Sequence, residues 1–449
     1  MSHRRRAVQL ACTALLTLCA ASAGAQDSGA IDPMAARQAV DAQLSAIYPD
    51  LDALYKDIHA HPELGFQETR TAATLAREMR RLGFEVTEGL GKTGLVAIYR
   101  NGSGPTVMVR TELDALPMAE KTGLPYASQV VTDWNGKPTP VAHSCGHDIH
   151  MAAWVGTART LVALKERWHG TLMFVAQPAE ELVSGAESML KAGLFTRFGK
   201  PDYAFALHTA PAPVGMIGFN SGAVTSNSDG LEVRFKGRGG HGSAPDKTID
   251  PIMMGSRFVV DLQSVVSREK DPQEFGVVTV GAFQSGTVGN IIPDEAIVRG
   301  TIRSYKPEVR EGLLAGVRRT ARAVADMAGA PEPEVRIEAG GKAVNNDAQL
   351  VSRTEAVLRG AYGKNVMHVP PITASEDFSD FVNAGVPSMF FFVGVYDLQR
   401  YLDSRKPGAA PLPSNHSPYF APVPEPSIKT GVGAMSLAVM NALTLPKTN

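Results

Sequence analysis

Short apolar runs alternate along the chain with stretches in which apolar residues recur every three or four positions. Residues 94–100, 106–110, 171–176, 203–207 and 388–393 are nearly continuous in apolar side chains, as strands buried on both faces are. Between them the spacing is helical. Ala72, Leu75, Ala76, Met79 and Leu82 share one face, and so do Met151, Trp154, Val155, Ala158, Leu161 and Val162. Helices are expected over residues 50–82, with a break at His61-Pro62-Glu63-Leu64-Gly65, and over 151–168, 185–195, 349–360 and 427–443. Strands that alternate with helices predict an α/β fold, a doubly wound and mostly parallel sheet.

The pattern changes near residue 227. Residues 231–236, Leu-Glu-Val-Arg-Phe-Lys, alternate as a half-exposed strand does. A helix over 250–268 opens on Asp250-Pro251 as N-cap and first turn. Strands over 275–283 and 296–305, a helix over 308–327 and a strand over 334–338 complete a β-α-β-β-α-β order. That is the ferredoxin-like α+β pattern. At 449 residues the chain is too long for one core. The expected division is a main domain over 26–226 and 341–449, with a smaller domain over 227–340 inserted in it.

The N-terminus is read as a leader rather than fold. Arg4-Arg5-Arg6 precedes an apolar run over 7–20, and Ala23-Gly24-Ala25 has the small-x-small form of a cleavage site. Residues 1–25 are therefore expected to be a signal peptide cut after Ala25, which sends the protein to a secreted or periplasmic location. Leu18 before Cys19 argues against a lipoprotein. Cleavage removes Cys12 and Cys19, so Cys145 would be the one thiol left, without an intramolecular disulfide partner. No other stretch has the roughly 20 apolar residues of a membrane span. The formal net charge of −1 and the lack of a basic stripe exclude an electrostatic case for nucleic acid.

The candidate chemistry is concentrated in His143-Ser144-Cys145-Gly146-His147-Asp148-Ile149-His150, which holds three His, one Cys and one Asp. One glycine separates Cys145 from His147, so thiolate and imidazole can reach a common point from a turn. Asp114, Glu180 with Glu181, and His208 each follow an apolar strand run, and ligands in wound α/β sheets bind outside the carboxyl ends of strands. With His416, the candidates are Cys145, His147, Glu181, His208 and His416, with Asp114 and Glu180 close by. Thiolate, imidazole and carboxylate together suit zinc, cobalt or manganese rather than calcium or magnesium. Five ligands exceed the need of one structural zinc and match two divalent ions. Of two adjacent glutamates, one can bind metal while the other stays free as a general base.

At this point the chain resembles the dinuclear-metal aminoacylase and carboxypeptidase family, in the branch of hippurate hydrolases and auxin-conjugate amidohydrolases. The matching stretches are His61-Pro62-Glu63-Leu64-Gly65-Phe66, Asp114-Ala115-Leu116-Pro117, Cys145-Gly146-His147-Asp148 and Gln177-Pro178-Ala179-Glu180-Glu181. Further along come Gly239-Gly240-His241, Asp250-Pro251, Asn290-Ile291-Ile292-Pro293, Gly300-Thr301-Ile302-Arg303 and Ser375-Glu376-Asp377-Phe378. The resemblance implies metal ligation by Cys145, His147, Glu181, His208 and His416. It also implies Glu180 as general base and Asp114 as a support of the metal site. The inserted domain would be a lid and dimerisation domain of a homodimer, with His241, Asn290 and Arg303 holding the tetrahedral intermediate and the substrate carboxylate. Three departures stand out. Glu112 replaces the usual Asp, Ser144 the usual Ala, and Thr209-Ala210-Pro211 follows His208 where an aromatic residue is frequent.

The expectation is a metal-dependent amidohydrolase that cleaves N-acyl amino acids or small peptides with a free carboxylate, by metal-activated water with a Glu general base. A metallo-carboxypeptidase or dipeptidase is the alternative on the same site. Two further alternatives are a thiol hydrolase built on Cys145 and His147 and a non-catalytic peptide-binding protein on the same fold.

Overall fold

The structure is a computed structural model that describes residues 31–448, so the expected leader and its two cysteines lie outside the described residues. The first helix, Pro33–Ala60, opens on Asp32, whose carboxylate accepts from the Met34 and Ala35 amides, with Pro33 at the first position. It begins well before the expected residue 50 and runs through Pro49. Burial of Ala36, Val40, Leu44 and Leu51 along one face outweighs the backbone bond that a proline removes. The second helix is Thr69–Arg81.

Eight strands form the central sheet, in the spatial order Glu85–Leu90, Gly94–Asn101, Gly170–Gln177, Thr106–Glu112, Tyr203–Pro213, Ser388–Tyr396, Ile217–Phe219 and Val366–His368. Four pairings are parallel and three antiparallel. Alternate residues of one strand enter different cores. Leu172, Phe174 and Ala176 join the cluster under Pro33–Ala60, His147–Ala163 and Pro424–Ala442, while Met173 and Val175 join the cluster with Met189, Phe378 and Phe381. Apolar side chains on both faces explain why these strands read as continuous runs.

Several elements differ from the sequence reading. The 203–207 run continues as a strand to Pro213, paired along Ser388–Tyr396, so His208 lies inside a strand rather than after it. The third long helix starts at His147 rather than 151, because the N-terminal turn is itself buried. Residues 185–195 form two short helices parted at Gly193, whose φ of 93° breaks the first. Residues 131–140 form a hairpin turning on Asn135-Gly136, both at positive φ as a type I′ turn requires.

The inserted segment carries its own antiparallel sheet, in the order Gly276–Gln284, Glu295–Ser304, Asn227–Lys236 and Glu334–Ala339. The helices Pro251–Ser264 and Pro307–Met327 pack on it through Leu231, Val233, Phe235, Phe258, Leu262 and Val317. No helix among the described residues is long and apolar enough to cross a membrane.

Candidate active site

The parallel strands end around a cavity of about 680 Å³ whose lining includes Cys145, Glu180, Glu181, His208, Arg303 and His416. Cys145 occupies the loop that enters the His147–Ala163 helix. Gly146 has a φ of 90°, and a Cβ there would lie 2.5 Å from Thr209 Oγ1, so only glycine lets the loop close on that strand. The turn swings His147 fully inside. Its Nδ1–H donates to the Asp114 carbonyl at 2.7 Å, which leaves Nε2 facing Glu180 and Glu181 at 3.8 and 4.0 Å.

The other donors converge from distant segments. His208 Nε2 lies 3.5 Å from Cys145 Sγ, and His208 Nδ1 donates to the Thr209 carbonyl at 2.8 Å. His416 reaches Glu181 Oε2 at 3.3 Å from a loop in which its own φ is 67°. Ala179 and Val183, on either side of the glutamate pair, also have positive φ. Non-glycine residues hold such angles only where surrounding contacts enforce them. Two carboxylates do so here. Glu68 accepts from the Ala179 amide at 2.7 Å, and Asp114 accepts from the Glu180 and Glu181 amides at 3.1 and 2.9 Å. Asp114 thus aims the glutamate pair through its backbone.

The donor set fits a divalent cation. His147 Nε2 and Glu181 Oε1 are buried and have no hydrogen-bond partner among the described residues, although the two face each other. Buried polar atoms are rarely left so. Cys145 with His147 and His208, Cys145 with Glu181 and His416, and His147 with Glu180 and Glu181 each bring one ligand atom within 4.8 Å of the others. The electrostatics point the same way. Burial opposes charge on His147, yet Asp114, Glu112 and Glu181 push it up to about 10, so the cluster attracts positive charge. Burial, with His150, pulls His208 down to about 3, which keeps its imidazole neutral with a free Nε2. Burial and the neighbouring Glu181 and Glu180 push the Cys145 thiol well above its usual range, and only a cation among these donors would reverse that. Burial also raises the Glu180 carboxyl, aided by Glu376 and Glu181. Burial would raise Glu181 too, but His416 and His147 hold it below the ordinary value.

Arg303 lines the cavity from the inserted segment, half-buried and without an ion-pair partner among the described residues. His241 and Asn290 are brought together elsewhere. His241 pairs with Ile291 in a two-stranded ribbon, Gly242 N–H donates to the Asn290 carbonyl at 2.8 Å, and both side chains are exposed and outside the cavity wall. The motif reading did not single out Glu68, Arg110 or Asn415. Glu68 and Arg110 have no signal in the local pattern, whereas Asn415 is the neighbour of His416. His59, near the break at residues 61–65, is buried between Asp148 and Glu120 at 2.6 and 3.1 Å.

The model of peptidase family M20/M25/M40 matches residues 108–439. The hippurate hydrolase of Campylobacter jejuni is 37% identical over 339 residues, covering 74% of this chain and 85% of that protein. An N-acetylcysteine deacetylase of Bacillus subtilis is 34% identical, over 78% of this chain and 89% of its own. An IAA-amino acid hydrolase of Arabidopsis thaliana is 32% identical, over 87% of each chain. Among solved structures, a dinuclear metal binding peptidase of the M20 family from Bacillus subtilis superposes with a TM-score of 0.72 at 29% identity, covering 88% of this chain and 99% of that one.

Proposed function

The chain belongs to peptidase family M20/M25/M40 and is a metal-dependent amidohydrolase, and from that premise we propose that it cleaves N-acyl amino acids, or small peptides with a free carboxylate. One observation carries the reading: a single cavity joins the donor cluster, an unpaired guanidinium and an apolar wall. Two divalent ions, zinc, manganese or cobalt, would be held by Cys145, His147, Glu181, His208 and His416, and when bound they polarise the amide carbonyl and acidify water.

The chain's own residues divide the remaining work. Glu180 takes a proton from the attacking water and returns it to the leaving amine, a role suited to a carboxyl whose proton affinity is raised by burial. Arg303 receives the substrate carboxylate by a charge-assisted hydrogen bond. Met216, Val369, Ile372, Phe390 and Phe392 form the apolar wall that accepts the acyl group and keeps water from it. The thiol-hydrolase alternative is disfavoured, since burial and acidic neighbours suppress the Cys145 thiolate that such chemistry needs. The relatives, named as a hippurate hydrolase, a deacetylase of N-acetylcysteine and an IAA-amino acid hydrolase, agree with acyl amino acids as the substrate class.

His241 and Asn290 belong to this reading as groups delivered to the cavity of a partner subunit in a homodimer. The location proposed is secreted or periplasmic, on the strength of the leader in residues 1–25. The test is a panel of N-acyl amino acids, dipeptides and their carboxyl-amidated analogues, assayed with defined metals. N-acyl amino acids should be turned over best and amidated analogues poorly. Preference for dipeptides with a free amine would instead favour the carboxypeptidase alternative, and turnover of none would favour a binding protein.

A further inference from the structure

Thr209 follows His208, is buried, and meets the segments of three proposed ligands. Its hydroxyl donates to the Cys145 carbonyl at 3.0 Å, across 64 residues of chain. Its carbonyl accepts from His208 Nδ1, which turns His208 Nε2 toward Cys145 Sγ. Asn415, next to His416, donates to the same Cys145 carbonyl at 2.8 Å and to Thr209 Oγ1 at 3.2 Å, across 206 residues. Thr209 is itself anchored from behind. Its amide donates to His150 Nε2 at 2.9 Å, His150 Nδ1 donates to Glu112 at 3.0 Å, and Glu112 is paired with Arg110. The Gly146 backbone closes directly on the hydroxyl.

We propose that Thr209 is a positioning residue for the metal centre, its hydroxyl holding the Cys145 and His416 loops in register with His208. The inference rests on the metal-centre reading above. Ligand loops that come from separate parts of a chain have no local reason to meet at one point. Partners behind the ligands supply that reason, and removing one loosens a metal site about 10- to 100-fold. Glu112 acts at one remove, by fixing the His150 ring on which the Thr209 amide rests.

The test measures Zn²⁺ affinity by competition with a chromophoric chelator, on the full mature protein, together with the melting temperature after exhaustive chelation. Thr209→Val keeps the shape and removes the hydroxyl. Its Zn²⁺ dissociation constant should rise about 10- to 100-fold for at least one ion, while the chelated protein melts within about 4 °C of wild type. Thr209→Ser should bind as wild type does. Asn415→Ala, at a half-buried loop position outside the helices and strands, should weaken binding in the same direction. Wild-type affinity in both Thr209→Val and Asn415→Ala would overturn the proposal, and so would equal weakening in Thr209→Ser and Thr209→Val. A Thr209→Val protein that melts far lower when chelated, beside an Asn415→Ala protein of unchanged affinity, would assign the network to the fold instead. If wild type takes up none of Zn²⁺, Mn²⁺ and Co²⁺, the metal-centre reading fails and this inference with it.

Discussion

Two clusters of buried charge meet at the cavity, and they differ in how they are satisfied. Around Arg110 the groups close on one another. Its guanidinium donates to Gln177 Oε1 at 2.9 Å, to Glu376 at 2.7 Å, to Asp377 at 3.1 Å and to Glu112. Asp377 also accepts from Gln177 Nε2 at 2.6 Å and from the Ala186 amide at 3.0 Å. Around His147 the groups do not close, and His147 Nε2 and Glu181 Oε1 are left facing each other. Closed charge of the first kind is a strut that ties together strands and a loop far apart in the chain. Open charge of the second kind is a place for a cation, because burial without a partner costs too much to serve packing alone.

The largest effect expected is on turnover, at the open cluster. Exhaustive chelation should abolish activity, and full activity with metal content near zero would refute metal dependence. Glu180→Gln should retain metal yet lose about 10²- to 10⁴-fold in kcat, the scale of general base catalysis. Glu181→Gln should instead lower metal content, read by elemental analysis. Exchanged phenotypes would reverse the roles given to the two glutamates.

The next effect belongs to the closed cluster. Arg110→Met strands Glu112, Glu376 and Asp377 without their cation, so urea unfolding should show a loss of about 3–5 kcal/mol. Glu181→Gln, measured the same way after chelation, should lose far less. Equal losses would erase the distinction between strut and site.

Arg303→Ala tests the cavity wall. It should lower kcat/KM about 10- to 150-fold on substrates with a free carboxylate, the range of a hydrogen bond to a charged group worth roughly 1.5–3 kcal/mol. Amidated substrates should be nearly unaffected, and equal losses on both would remove the carboxylate-binding role.

A last effect, read only as a change of slope with pH, concerns a third buried group. Burial disfavours the His59 cation, but Asp148 and Glu120 outweigh it and raise its pKa from 6.5 to about 10. A raised pKa contributes stability that is fully present below pH 6.5 and lost as pH rises through about 10. His59→Gln should therefore flatten the decline in stability between those values, followed by urea midpoints. An unchanged slope would show that the imidazole is not charged in the folded protein.

Local pattern was enough for much of this molecule. Residues 94–100, 106–110 and 171–176 read as buried strands because both faces of the sheet are covered, and the apolar side chains along them carry that fact. The inserted β-α-β-β-α-β unit was legible for the same reason, since its two helices and four strands bury one face each. The density of ligand-type residues at 143–150, and of acids after strands, likewise needs no distant information to be seen. Short elements such as Ile217–Phe219 escaped, because three residues hold too little periodicity and are strands only by their neighbours.

What tertiary structure alone decided is which polar groups find partners. Arg110 lies in an apolar run and meets Glu376 across 266 residues. In the sequence Thr209 is only part of a departure from the family pattern, and its role emerges when Cys145 and Asn415 close on it. Arg303 reaches the cavity wall while His241 and Asn290, from the same inserted segment, do not. Sequence sets which side chains seek burial or charge, because hydrophobicity and charge belong to each residue. Satisfaction is a relation between residues, and only the folded chain brings both members of each pair to one place.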